Sequence, residues 1–353
     1  LKWKSGDTRP AEAKQTTKFI NHLKPKTTMT YLENSKQYTG SDLENIFFRP
    51  MLTGESAQDL GVRVLYNMPQ PTHVQLWDGQ RNILQKFTSA GWAGGKAATK
   101  YEKTVNLNRV KAELGFSAAN YFSMVYEKVS SLVNTHMDDL SGTELEQAET
   151  ALFKQALAEN IRVTMWIGDT SAASGYNTFD GLLKRINGLV DDDGVYNFSY
   201  QAAALEDPAY VVELFDKLWA GADPRIPGLK ADDRLAYFVS SDIYRLYEKY
   251  LDAKGADAAY ADAMNGRRTL AYHGIPVVDV RLGSYLGATS FRQSFVMLTD
   301  RRNLVLAVNT ADMPGNEVRM WYNPDEMENR QRAVFMAGTQ ILDEALISFA
   351  YKQ

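Results

Sequence analysis

Cysteine is absent from the 353-residue chain. That removes thiol catalysis, disulfide staples and cysteine-ligated zinc together, and it fits a reducing site of synthesis. Histidine is scarce. His22, His73, His136 and His273 lie far apart, and none sits in an HExxH or His-Cys pattern. His136, in HMDD, reads better as part of a polar helix end than as a metal corner. Long apolar runs are missing as well. No window approaches the roughly 18 uninterrupted apolar residues that a membrane span requires, so no membrane partner is expected. The opening residues LKWKSGDTRP are polar and carry no apolar leader segment. The glycine motifs of phosphate chemistry are incomplete: GDTSAASG, residues 168–175, lacks a following Lys-Ser/Thr pair. No GxGxxG follows a strand, which argues against a dinucleotide site. GxSxG is absent too, leaving no nucleophile elbow. VDDDGV resembles a calcium loop, but Gly194 comes too early for the EF-hand register, so a tight turn is expected. No catalytic set, cofactor or metal is expected.

What is present is an ordinary globular composition, 44% apolar and 23% charged, long enough for one large domain or two to three modest ones. The net charge of −4 is unevenly spread. Residues 1–28 carry seven basic side chains against two acidic ones, a surplus of five that leaves −9 on the remainder. Such a basic leader, with Lys2 and Lys4 at its start, is either an arm that grips an acidic neighbour or a solvated terminus. Beyond it the basic residues are interspersed with acids, and no zinc finger or aromatic RNA-binding motif occurs. The many Tyr and Phe residues sit at core-like periods.

Along the chain, Pro10 and Pro25 break any regular pattern in an extended arm. SDLENIFFRPML reads as a short helix with a Ser41/Glu44 capping box, ended by Pro50. From about Tyr66 to Ala112 the period changes to that of strands. HVQLWDGQRNILQKF alternates around Asp78-Gly79, a hairpin signal, and TVNLNRVKAELGFS alternates again. Between them SAGWAGGKAATKYEK is polar and glycine-rich, with Trp92 as its only large apolar group. A two-stranded excursion with so little core is marginal alone, so something outside it should hold it. AANYFSMVYEKVSSLVNTHMDDL then has helical period. A long helix follows from a Thr143/Glu146 capping box, with a stripe at Leu145, Ala148, Leu152 and Ala156 and acidic residues toward its positive end. From Leu145 to Ile161 it makes a rod of roughly 25 Å. Its sequel IRVTMWI suits a strand or a buried helix end equally. Beyond Gly188 helices and strands alternate, as in a compact α/β lobe. SFVMLTDRRNLVLAVN reads as two strands around Asp300-Arg301, and further strands follow.

This order of basic arm, β-ribbon, long helix, α/β lobe and late strands resembles the major capsid protein of tailed bacteriophages, the Hong Kong ninety-seven (HK-ninety-seven) shell fold. The resemblance is carried by ETALFKQALAENIRVTMWIGD…FDGLLKRI, Glu149 to Ile186, where a long helix leads to a Gly-Asp step and a Gly-Leu-Leu segment. VNLNRVKAELGFS, AYHGIPVVDV, LTDRRNLVLAV and FMAGTQILDEALISF are similar to other segments of that family in the same order. The resemblance implies an α+β fold in six parts. These are an N-terminal arm (1–28), the first part of a peripheral domain (29–65), an extended loop (66–112) and the peripheral domain with a spine helix over about 143–163 (113–186). An axial domain (187–308) and late strands returning to the peripheral domain (309–353) complete the set. It implies a non-enzymatic subunit that self-assembles as pentamers and hexamers into an icosahedral head around double-stranded DNA. The shell would be assembled in the host cytoplasm with portal and scaffolding proteins. Maturation cleavage in the family agrees with a chain opening on Leu1, as does any other cut. Trp77, Trp92, Lys96, Lys2 and Lys4 are the expected intersubunit contacts. An encapsulin-type nanocompartment shell and a soluble α/β enzyme with an unmarked acid/base site are the alternatives.

Overall fold

In the computed structural model of the protein, the residues described are 36–38, 61–68, 72–77, 100–117, 144–190, 192, 194–254, 270–283, 285, 294–309, 317–326 and 328–353. The long helix, α1, spans Glu144–Ile167, about 36 Å at 1.5 Å per residue. Its buried line is Phe153, Leu157 and Ile161, one residue on from the expected stripe, with Leu152 and Ala156 only half-buried beside it. IRVTMWI is helix. Every residue from Val163 to Ile167 is buried, because the last turns of α1 run into the interior between two sheets. A helix end covered on all sides has no polar face, and so its sequence shows no period.

The first sheet is built on the fourteen-residue strand β13, Glu328–Ile341. It pairs antiparallel with β5 (Asn108–Ser117), β12 (Glu317–Asn323) and β11 (Leu304–Asn309). β1 (Lys36–Tyr38) adds to β12, and β2 (Arg63–Tyr66) lies parallel to β11. Alternation along β13 turns Ala333, Phe335 and Ala337 to one face, where they join Phe153, Leu157 and Ile161 of α1 in a single core.

The second sheet has the order β6 (Tyr196–Tyr200), β14 (Ile347–Lys352), β10 (Phe295–Asp300), β7 (Leu235–Val239), β9 (Ile275–Asp279), β8 (Leu270–Tyr272). Both of its faces are covered, which explains the unbroken apolar runs of β7 and β10. Ala236, Phe238, Phe295, Met297 and Phe349 face α1 and the short helix α2 (Leu182–Asn187). Tyr237, Val239, Val296 and Leu298 face helices α3 (Tyr210–Ala220), α4 (Ile226–Lys230) and α5 (Ser241–Ala253). Trp166, fully buried, lies between the layers with its ring 5.7 Å from Phe238 and 6.3 Å from Phe295.

The two strands read from SFVMLTDRRNLVLAVN exist, but they part company. After the 3-10 turn Arg301–Asn303, β10 stays in the second sheet and β11 belongs to the first. The segment 309–353 is likewise divided: β12 and β13 join the first sheet beside α1, whereas β14 lies between β6 and β10 in the second. A buried apolar strand carries no mark of which sheet will receive it. No helix among the described residues is long and apolar enough to cross a membrane.

The Gly-Asp step after α1 has a steric cause. A Cβ on Gly168 would stand 2.2 Å from the Phe179 carbonyl oxygen, and one on Gly181 would stand 2.6 Å from the Gly168 nitrogen. The two glycines let the loop fold back on the helix end, where the Gly181 N–H donates to the Gly168 carbonyl at 2.8 Å. Lys184 of α2 closes the loop from outside, 2.7 Å from Asp169 and 2.6 Å from Asp180. Hydrogen bonds from Lys184 and from the Ser171 hydroxyl and amide hold the Asp169 carboxyl down at about 2. Burial alone would raise Asp180, but Lys184 and Thr170 donate to it and keep it below the ordinary carboxylate range.

Candidate assembly surface

Strands β3 (Thr72–Trp77) and β4 (Lys100–Val105) form a separate two-stranded antiparallel ribbon, in register from Thr72 opposite Val105 to Trp77 opposite Lys100. His73 bridges its strands, 3.0 Å from Glu102 and 3.2 Å from the Thr104 hydroxyl. Two strands cannot bury both faces of their own sheet, and among the described residues this ribbon has a small apolar foot. Val74, Val105 and Leu107 pack on Val305, Ala307 and Leu342. Val305 and Ala307 belong to β11, whose alternate residues Leu304, Leu306 and Val308 point into the α1 core. The ribbon therefore stands on the sheet face opposite the long helix.

The chain leaves the foot by crossing β13. A Cβ at Gly338 would meet the Asn106 carbonyl oxygen at 2.2 Å, so a bare backbone at 338 is what lets β4 pass into β5. Beside that crossing the Gln340 side-chain amide donates to the Thr104 carbonyl at 2.8 Å, and Lys103 pairs with Glu344 at 2.6 Å.

A second candidate surface lies on the helix side. A groove of about 640 Å³ runs between β5, α1 and the loop at residues 175–179, walled by Val110, Leu114, Phe153, Leu157 and Ile161. Consecutive residues Val110 to Leu114 line it, so the outer backbone edge of β5 faces the groove. Among the described residues β5 has one strand partner, β13. An open strand edge beside an apolar wall is a surface that soluble proteins ordinarily cover.

No family model matches the sequence, and no curated protein matches it. Solved structures match in fold. A chain of the satellite phage P4 procapsid, a particle that includes the size determination (Sid) protein, superposes with a TM-score of 0.55. The match covers 86% of this chain and 97% of that one, at 10% identity. The chain has a phage capsid fold. Chains of the Myoviridae phage XM1 capsid (TM-score 0.47, 13% identity, 84% and 91% covered) and of Gordonia phage Cozz (0.45, 11%, 84% and 86%) resemble it more loosely.

Within this capsid fold Trp77 ends β3 opposite Lys100, while Trp92, Lys96, Lys2 and Lys4 lie outside the described residues. No contact among the five falls within the described residues. The Asp78-Gly79 turn and His136 also lie outside them. Gly338, Gln340, Lys103 and Glu344, which hold the ribbon foot, were not singled out from sequence. A glycine inside the alternating run VFMAGTQI is the one signal that could have found them, since it marks a close backbone approach.

Proposed function

We propose that this chain is the structural subunit of the icosahedral head of a tailed double-stranded DNA phage. The observation that carries the reading is the fold shared over nearly the whole of a phage procapsid chain. Two features support it physically. Among the described residues the ribbon has a small apolar foot, and β5 has β13 as its one strand partner beside an apolar groove. Both gain burial against further copies. Standard interfaces bury roughly 1,200–2,000 Å² in total. Several modest contacts per subunit reinforce one another through effective concentration, and heterologous contacts that close into pentamers and hexamers stop growth at a shell.

In that reading residues 1–28 are the arm, 66–112 the extended loop that lies on a neighbour, and α1 the spine that stiffens the tile. Residues 29–65 and 113–186 form the peripheral domain and 187–308 the axial domain; of 309–353, β12 and β13 are the strands that return beside α1, while β14 completes the sheet of the axial lobe. Trp77, Trp92, Lys96, Lys2 and Lys4 meet neighbouring subunits. Portal and scaffolding proteins are the further partners, DNA is enclosed without sequence-specific binding, and the subunit has no catalytic role. It resides in the virion after assembly in the host cytoplasm. Negative-stain electron microscopy of the purified full chain tests this. Closed shells of uniform diameter are expected, and a field of dispersed single molecules overturns the reading.

A further inference from the structure

The chain passes between its two sheets at Arg301–Asn303 and again at Leu342–Leu346, and the two crossovers are bonded to each other. The buried Asn303 side chain accepts from the Asp343 N–H at 2.7 Å and donates to the Asp343 carbonyl at 2.7 Å. The Leu342 N–H donates to the Asn303 carbonyl at 3.1 Å. From this joint, side chains reach outward in three directions. Toward the lobe, Asp343 accepts from Arg225 Nη1 at 2.8 Å, at the start of α4. Toward the helix-end loop, Gln340 Oε1 accepts from Arg185 Nη1 of α2 at 3.0 Å. Arg185 Nε also donates to the Thr339 hydroxyl, which in turn donates to the Asp180 carbonyl at 2.5 Å. Toward the ribbon, the same Gln340 amide donates to the Thr104 carbonyl, and Glu344 takes Lys103.

We infer that residues 339–346 are a clasp that sets the direction of the β3–β4 ribbon from the position of the second-sheet lobe. One connector of eight residues, Thr339 to Leu346, holds the ribbon by Gln340 and Glu344 and the lobe by Asp343. A displacement of the lobe at Arg225 therefore reaches Thr104 through a single bonded segment. The Lys103–Glu344 pair alone is too solvent-exposed to fix an orientation. Gln340 is the stronger grip, because its amide has a partner on each side and β4 offers the backbone, which cannot turn away as a side chain can. The apolar foot of Val74, Val105 and Leu107 is non-directional. It keeps the ribbon attached and leaves its angle to the clasp.

The absence of native cysteine allows spin labels to be placed without background. Exposed Glu102 on the ribbon, Gln155 on α1 and Lys249 on α5 are converted to cysteine in pairs, and the labelled full chain is diluted into unlabelled chain so that distances within one subunit dominate. The pair E102C/K249C reads ribbon to lobe, and Q155C/K249C reads helix to lobe. Adding Gln340→Ala with Glu344→Gln is expected to broaden or shift the first distance distribution and leave the second unchanged. Glu344→Gln alone, at a half-exposed position, is expected to produce a smaller change of the same kind. An unchanged ribbon-to-lobe distance in the double variant overturns the inference, as does equal broadening of both distances.

Discussion

Gly338 has no room for a side chain, since its missing Cβ would lie 2.2 Å from the Asn106 carbonyl oxygen. Gly338→Ala must therefore push the β4–β5 crossing off β13, an overpacking that costs about 1–3 kcal/mol in urea denaturation. The loss should be accompanied by faster proteolysis of β3 and β4. Asp169 gives a second prediction at the same scale. Its carboxyl sits at about 2, below its ordinary 3.8, because Lys184 and Ser171 bind the charged form. A depressed carboxylate stabilises the fold fully above its unfolded value and loses that contribution as pH falls toward the folded one. Thermal stability should thus drop between about pH 4 and pH 2, and Asp169→Asn should flatten that slope. A melting series with the same slope in both proteins contradicts it. The sequence marked Gly168-Asp169 and Gly181 through a family pattern, and the structure supplies the reason in backbone crowding. Nothing marked Gln340, because a glutamine near a strand end has no pattern until the ribbon crosses beside it.

At the scale of elements, α1 carries the largest fully buried side chain among the described residues. Trp166 is fully buried between the sheets, so Trp166→Ala should cost about 3–5 kcal/mol by chemical denaturation. Its indole N–H has no hydrogen-bond partner among the described residues. Trp166→Phe removes that unsatisfied donor together with some volume and should cost far less than the alanine change. Equal losses for the two variants rule this account out. Among the described residues the long helix showed in its period and the lobe strands in their apolar runs, whereas SDLENIFFRPML and AANYFSMVYEKVSSLVNTHMDDL, read as helices, lie outside the described residues. The partners of the strands did not show. β10 and β11 are adjacent in sequence and similar in composition, yet they enter different sheets, and β14 returns to the second sheet after β13 has completed the first. Periodicity reports which face of a strand is buried; it contains nothing about the neighbour that buries it. The same limit explains the one-residue offset of the α1 stripe, where Phe153, Leu157 and Ile161 won the core over Leu152 and Ala156.

At the scale of the whole molecule, the described residues of the two sheets and α1 share one continuous core, the ribbon meets the first sheet through a small foot, and β5 has β13 as its one described strand partner. In the proposed shell, the ribbon and the β5 edge are the margins that neighbouring copies cover. Local stability should follow the same division, with the margins opening at far lower free energy than the core. Hydrogen exchange on the full chain, compared between assembled particles and subunits dissociated from them, measures this directly. The amides of Thr72–Trp77 and Lys100–Val105 should exchange quickly in the dissociated subunit and become protected in the particle, while those of β7 and β10 stay protected in both. Ribbon amides equally protected in the two states, or a chain that forms no particle at all, would contradict the account.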